Sequence, residues 1–123
     1  MRVPKQCHLW QQDPLTSDYL SQPGLFERLK TYEDDSHLIR DLRRCTQCGQ
    51  LYFYEFYEVI DWMNGNDPQY RSYLPVDSIE EADELARLSV FDILDHYPRL
   101  QSDWPTAAEH PRVFWIRRGE AGS

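Results

Sequence analysis

The chain has 123 residues, a formal net charge of −8 and 28% charged residues, and its mean hydropathy is −0.73. This length suffices for one domain with a substantial core, since globules of this size bury roughly 60–70% of their unfolded surface. The low hydropathy and the lack of a long apolar run argue against residence in a membrane. The negative charge repels nucleic acid and anionic lipid and favours cationic partners.

The number of cysteines, three, is odd. This disfavours a self-contained disulfide framework and favours a reducing compartment, in which thiols are free or metal-bound. The first residues are basic, but no apolar stretch follows them, so they do not resemble a secretory signal. We therefore expect a cytoplasmic protein, bacterial in style, with a single domain at residues 1–118 and a frayed tail at 119–123.

In the first half of the chain, Leu25–Tyr32 predicts a short N-terminal helix, because its apolar residues recur at helical spacing. Residues 38–44 alternate in a mixed way that favours a strand over a helical turn. From Gln50 to Trp62, aromatic and β-branched residues cover both faces, which is typical of a central strand. A turn at 63–68 and a returning strand at Tyr70–Val76 complete a predicted three-stranded meander.

The second half begins with Ser78 and Glu81 at the spacing of a capping box. It predicts one long helix at Ile79–Tyr97, ended by Pro98. Its broad apolar stripe would pack across a sheet and comprises Ile79, Ala82, Leu85, Ala86, Val90, Phe91, Ile93, Leu94 and Tyr97. After a loop, Arg112–Arg118 predicts a last strand. The predicted fold class is α+β: an antiparallel sheet, made of the meander and a C-terminal strand, packed against the long helix and the N-terminal helix.

The strongest chemical signal is the pair Cys45 and Cys48, followed at once by Gly49. Two thiolates separated by two residues on a tight turn can grip one face of a metal ion, and the glycine permits the backbone that the turn requires. This spacing predicts a structural zinc knuckle at a hairpin tip. Cys7 is the remaining cysteine and the natural third ligand, which would tie the N-terminal arm to that tip.

The fourth ligand stays open at this point. His37 would lie about 26 Å from Cys45 along an extended strand, at roughly 3.3 Å per residue, and is excluded. His8, beside Cys7, is one candidate, and His96 and His110 are others, as are a carboxylate and water. A water in the fourth position would make the site catalytic and the protein a small metal-dependent hydrolase.

Around Cys45-Thr46-Gln47-Cys48-Gly49 the chain resembles the knuckles of zinc ribbons and rubredoxins, over about five residues and without their second knuckle. As a whole it is similar to the small acidic immunity proteins of bacterial toxin systems, in being a single α+β domain that is aromatic and strongly negative. That similarity implies a non-enzymatic protein that neutralises a basic toxin, such as a nuclease.

Acidic residues concentrate between Asp77 and Asp95, where seven acids face one base. Part of this charge suits the first turn of a helix, but the excess predicts a surface for a basic protein partner. Aromatic side chains among polar ones are typical of binding hot spots. The predicted partner-binding residues are Glu80, Glu84, Asp92, Trp62, Tyr70 and Tyr73.

Arginines also cluster, beside the cysteine pair and around the last strand (Arg40, Arg43, Arg44, Arg112, Arg117 and Arg118). They support an alternative, a nucleic-acid-associated zinc-knuckle protein, although three thiolates on one zinc would leave a negative site that nearby arginines neutralise. The leading hypothesis is a non-enzymatic, zinc-clasped module that binds a basic protein, and nucleic acid is not expected as its partner.

Overall fold

The computed structural model describes residues 3–12, 15–59, 67–104 and 111–117. They form a six-stranded antiparallel sheet in which each strand pairs with its neighbours in sequence, from β1 at one edge to β6 at the other. The elements are α1 (His8–Gln11), α2 (Ser17–Leu20), β1 (Phe26–Asp35), β2 (Leu38–Cys45), β3 (Leu51–Glu58), β4 (Gln69–Val76), α3 (Ile79–Leu85), α4 (Val90–Ile93), β5 (Arg99–Trp104) and β6 (Arg112–Ile116).

The predicted fold class is wrong, because short helices replace the long helix that was expected to cover the sheet. Strands do occupy the positions of the predicted meander, as β2, β3 and β4. Trp62, His110 and the predicted tail at 119–123 lie outside the described residues. Among the helices of the described ranges, none combines the length and the apolar character needed to cross a bilayer.

The predicted N-terminal helix at Leu25–Tyr32 is a strand, β1, paired with β2. Two register shifts within β1 mark bulges. Each bulge adds a residue and so changes which face the following side chains occupy. Phe26 therefore packs on Tyr52, whereas Tyr32 packs on Phe53, on the opposite face of β3. These irregularities give the strand an apolar spacing that imitates a helix.

The predicted long helix is broken into α3 and α4. The Ser78 hydroxyl accepts from the Glu81 amide at 3.2 Å, as the capping box predicts, but the Glu81 carboxylate accepts from the Asp77 amide rather than from Ser78. A second cap lies four residues after the end of α3, where the Ser89 hydroxyl accepts from the Asp92 amide at 3.1 Å. Serine at that position favours a new helix start over continuation of the old one.

Two buried arginines of the sheet hold the C-terminal ends of these helices. Arg40 of β2 donates to the carbonyls of Ala86 and Leu88, just after α3, at 3.2 and 2.7 Å. Arg99 of β5 donates to the carbonyl of Leu94, just after α4, at 2.6 Å. Because a helix leaves its last carbonyls without intrahelical partners, a cation there satisfies them and complements the helix dipole.

Strand β5 lies where the sequence predicted a loop between the long helix and the last strand. Its polar side chains are nevertheless buried, because they bond to each other and to β4. Gln101 accepts from the Ser72 hydroxyl and from Arg99 Nε, each at 2.9 Å. A buried polar row is stable when its members form hydrogen bonds with one another. Polar composition alone therefore does not distinguish a loop from a buried strand.

Each face of the sheet carries its own core. On one face, α3 and α4 pack through Ala82, Leu85 and Ile93 against a cluster that includes Phe53 and Leu74. On the other face, the described parts of the N-terminal segment, residues 3–12 and 15–25, pack against the sheet. Its buried side chains and those that meet them are Cys7, Leu9, Leu20, Leu25, Cys45, Tyr52, Tyr54, Tyr73 and Leu100.

Candidate metal centre

The two predicted knuckle cysteines lie at the turn between β2 and β3. Cys45 is the last residue of β2, and its amide donates to the Gln50 carbonyl at 2.8 Å while its carbonyl accepts from the Gly49 amide at 2.8 Å. Gly49 has φ +82°, in the left-handed region that side chains disfavour. The glycine thus lets the chain reverse within a few residues, with Cys45 buried and Cys48 exposed.

The N-terminal segment is fastened beside this turn. The Thr46 amide donates to the Leu25 carbonyl at 3.0 Å, and the Thr46 hydroxyl donates to the Gly24 carbonyl at 2.6 Å. At the other end of the segment, the Trp115 indole donates to the Leu9 carbonyl at 2.8 Å. The Thr46 bonds therefore hold the end of the segment at the knuckle turn, and the Trp115 bond holds α1 against β6.

Three predicted ligands, Cys7, His8 and Cys45, meet beside this turn, with one donor atom from each lying within 4.8 Å of the others. Cys45 Sγ and His8 Nδ1 are 3.9 Å apart. Ligand atoms around one tetrahedral zinc lie about 3.5–3.8 Å apart, as follows from bond lengths of roughly 2.3 Å to sulfur and 2.0–2.1 Å to nitrogen. A small contraction of the group would therefore suffice to bind an ion.

Buried polar atoms without partners point to the same place. Among the described residues, two buried side-chain atoms lack a hydrogen bond, His8 Nε2 and the Tyr52 hydroxyl oxygen. Tyr52 is fully buried, and its hydroxyl lies close enough to Cys7 to influence the pKa of that thiol. Burying a polar atom without a hydrogen-bond partner costs free energy, unless a bound ion or water satisfies it. A cation on the sulfurs would make Cys7 a thiolate, which is a strong acceptor for the Tyr52 hydroxyl.

Ionisation of the cluster requires a positive charge. Burial raises the pKa of Cys7 to about 12, an effect that the neighbouring Cys48 and Cys45 reinforce and the Tyr52 hydroxyl opposes. Burial also lowers the pKa of His8, which keeps the imidazole neutral, as metal ligation requires. Cys7 and His8 are thus neutral donors, and a metal ion bound there would displace the proton of the Cys7 thiol.

Cys48 is the fourth member of this cluster. Its side chain lies close enough to that of Cys7 to raise the pKa of the Cys7 thiol. Cys7, His8, Cys45 and Cys48 together form a possible metal-binding cluster in which the adjacent residues Cys7 and His8 both face the site. His8 is therefore the histidine that the fold brings to the sulfurs.

The other histidines that the structure describes lie elsewhere. His37 Nδ1 is 3.0 Å from Glu58 Oε1, and His96 Nδ1 is 3.1 Å from the Asp92 carbonyl. The sequence reasoning missed the Tyr52 hydroxyl. Its position in a strand directly after the knuckle is the signal that could have revealed it.

The predicted partner-binding residues do not all reach the surface. Glu80, Glu84 and Asp92 are exposed on α3 and α4. Tyr70 is half-buried in the wall of a pocket. Tyr73 is only 3% exposed and packs on Phe26 and Tyr54 in the core. Its prediction as a surface contact is wrong, because β4 is an interior strand whose alternate residues face the N-terminal segment.

The arginines beside the knuckle have partners within the domain. Arg40 is buried and pairs with Glu55 at 2.8 Å. Arg43 pairs with the fully buried Asp41 at 2.7 Å and stacks over Tyr54, while the more exposed Arg44 pairs with Glu27 at 3.1 Å. Their positive charge is therefore largely neutralised by acidic side chains of the same sheet.

A pocket of about 350 Å³ opens on the helix-bearing face, between α4 and strands β3 to β6. Phe91 and Leu94 of the α4 region form its lip, and the buried row of β5 forms its floor. Its volume lies at the lower end of the range of ligand sites. The sequence reasoning missed this pocket because it assigned Phe91 and Leu94 to the buried stripe of one helix.

Comparison of the chain with protein-family models, with curated proteins and with solved structures finds no match. Function is therefore argued from the site and the surface.

Proposed function

We propose that this protein is a non-enzymatic binding module, clasped by a structural zinc ion, that binds a basic protein partner such as a nuclease toxin. One observation carries the zinc proposal: Cys7 and His8 of the N-terminal segment lie close to Cys45 and Cys48 of the β2–β3 turn. Two or more thiolates with an imidazole are a donor set that suits zinc. If all four side chains bind, the tetrahedral site is closed, which is typical of structural rather than catalytic zinc.

The binding proposal is supported by the distribution of charge on α3 and α4. Glu80, Glu84 and Asp92 are exposed, and they form no ion pair within the described parts of the chain. Asp83, by contrast, is engaged by Lys30 and Tyr32 of β1 at 2.8 and 2.6 Å. The acids that are not used in the fold therefore define an acidic surface, and complementary charge accelerates encounter with a basic partner.

The test uses the triple variant Glu80→Lys, Glu84→Lys, Asp92→Lys and a synthetic lysine-rich peptide immobilised for kinetic measurements. We expect the variant to keep its fold but to associate more slowly than the wild type at low salt, with the difference shrinking at high salt. The matched control, Asp18→Lys, Glu33→Lys, Asp34→Lys, makes the same change in net charge at exposed acids elsewhere.

A slower association that is equal in both variants would mean that only total charge matters. An unchanged association rate in the helix variant would mean that α3 and α4 are merely solvated. Either result would contradict the proposed acidic binding surface, whereas a specific loss in the helix variant would support it.

A further inference from the structure

The pocket beside α4 has walls and a floor of different character. Its walls are aromatic and aliphatic, formed by Tyr57, Tyr70, Phe91, Leu94 and Phe114. Its floor is the buried polar row of β5 with Ser72 of β4. Apolar walls around a few fixed polar groups are the usual composition of a binding pocket.

One acceptor on this floor is free. Gln101 Nε2 donates to Asp103 Oδ1 at 2.6 Å, and the second carboxylate oxygen of Asp103 has no hydrogen bond within the described residues. Burial raises the pKa of Asp103, with the Gln101 hydrogen bond acting in the opposite direction. The pocket thus offers an oriented acceptor that an N–H or O–H group of an occupant would satisfy.

Charges inside the pocket balance. Its lining contains two carboxylates, Glu55 and Asp103, and two guanidinium groups, Arg99 and Arg112. Arg112 lies directly opposite Asp103 in the β5–β6 pair. Because the acidic and basic side chains of the lining are equal in number, neither a cationic nor an anionic side chain gains from entering, and the balance favours an uncharged occupant.

The lip of the pocket is apolar and stands in solvent. Phe91 is 72% exposed and Leu94 is 43% exposed, although both belong to the segment that also carries the exposed Asp92. Large exposed apolar side chains within a polar rim are typical of interaction sites. The acidic rim selects the partner by charge, and the pocket is positioned to receive an anchor from that partner.

From these observations we infer that the pocket is the anchor site for a large aromatic side chain with a polar edge, of the tryptophan class, carried by the basic partner. The aromatic walls match the ring, and the free oxygen of Asp103 matches the indole N–H. This inference rests on the proposed function for the identity of the partner, but it adds a separate, charge-independent contact to the acidic surface.

The test compares two synthetic peptides that differ at one residue, acetyl-Lys-Lys-Trp-Lys-Lys-amide and the same peptide with alanine in place of tryptophan. Their binding to the full chain is followed by amide chemical shifts and by titration. We expect the tryptophan peptide to bind about tenfold more tightly, since burial of a large aromatic side chain is worth more than one factor of ten in affinity. Its shifts should include the amides of β5 and α4.

Phe91→Ala should remove most of this tenfold advantage without unfolding the protein, because Phe91 is exposed. Ile79→Ala removes another exposed apolar residue, on α3 and outside the pocket, and should leave the advantage intact. Equal affinities of the two peptides for the wild type, or a tryptophan advantage that survives Phe91→Ala, would overturn the inference. Both peptides carry the same lysines. If they bind with equal affinity that falls as salt rises, the acidic surface is supported and the pocket inference fails. If neither peptide binds, both proposals are contradicted.

Discussion

Tyr52 connects the core of the sheet with the candidate metal centre. Its ring packs against Phe26 in the layer beneath the N-terminal segment, while its hydroxyl lies near Cys7 and has no hydrogen-bond partner among the described residues. Burial raises the pKa of Tyr52, and the neighbouring cysteines add to this effect. The hydroxyl thus remains protonated and is available to donate to a thiolate at Cys7.

Replacing Tyr52 with phenylalanine should therefore weaken metal binding while retaining the packing of the ring. Loss of a partner that orients a metal ligand typically costs about 10–100-fold in affinity. The measurement is competition for zinc with a chelator, together with the sulfur-to-metal charge-transfer band of the cobalt-loaded protein, which should shift. Tyr57→Phe, which removes a hydroxyl on the opposite face, is the control. Equal affinities and unshifted bands in both variants would exclude a bond from Tyr52 to the ligand sulfur.

Arg40 is the second residue whose environment makes a sharp prediction. Its guanidinium pairs with the buried Glu55 and also holds the end of α3. Burial raises the pKa of Glu55 and Arg40 opposes this rise, so removal of the arginine would leave a buried carboxylate without its cation. Breaking such a pair from one side costs about 3–5 kcal/mol.

Arg40→Ala should accordingly lower the free energy of unfolding by about 3–5 kcal/mol in a denaturant titration. Arg44→Ala, which breaks the exposed pair with Glu27, should cost less than about 1 kcal/mol. Similar losses in the two variants would show that the buried network contributes no more than a surface pair.

At the scale of elements, prediction from the sequence fails where a bulge or a helix break changes the spacing of the apolar residues. The bulges in β1 and the serine cap of α4 each shift side chains between faces, and neither produces a strong pattern in the residues themselves. The knuckle turn could be predicted because Cys45, Cys48 and Gly49 are close together in the chain. The position of His8 could not be selected from the alternatives, because it depends on how the N-terminal segment lies on the sheet.

The break between α3 and α4 separates two residues that the sequence placed in one apolar stripe. Leu85 is 4% exposed and belongs to the core, whereas Phe91 is 72% exposed. Leu85→Ala should lower the free energy of unfolding by about 2–5 kcal/mol, and Phe91→Ala should change it little. A denaturant titration of both variants is the measurement, and a loss at Phe91 comparable to that at Leu85 would contradict the broken helix.

At the scale of the whole molecule, the sheet separates two regions with different proposed roles. The N-terminal segment and the cysteine–histidine cluster cover one face, whereas α3, α4 and the pocket lie on the other. A metal ion would fasten residues 7 and 8 to the end of β2 and so hold an entire layer in place. Because the acidic surface and pocket lie across the sheet, they can be altered without touching the clasp, which makes the two proposals independently testable.

The central claim is that a metal ion closes this clasp, and metal analysis of the full chain purified under reducing conditions tests it most directly. We predict about one zinc per chain, and His37→Ala should retain it. Cys45→Ser and Cys48→Ser should each lose the zinc, and their unfolding should no longer be cooperative, because structural zinc contributes apparent binding energies of about 10–16 kcal/mol in finger peptides. A well-folded, metal-free protein in which all three cysteines titrate as thiols would contradict it.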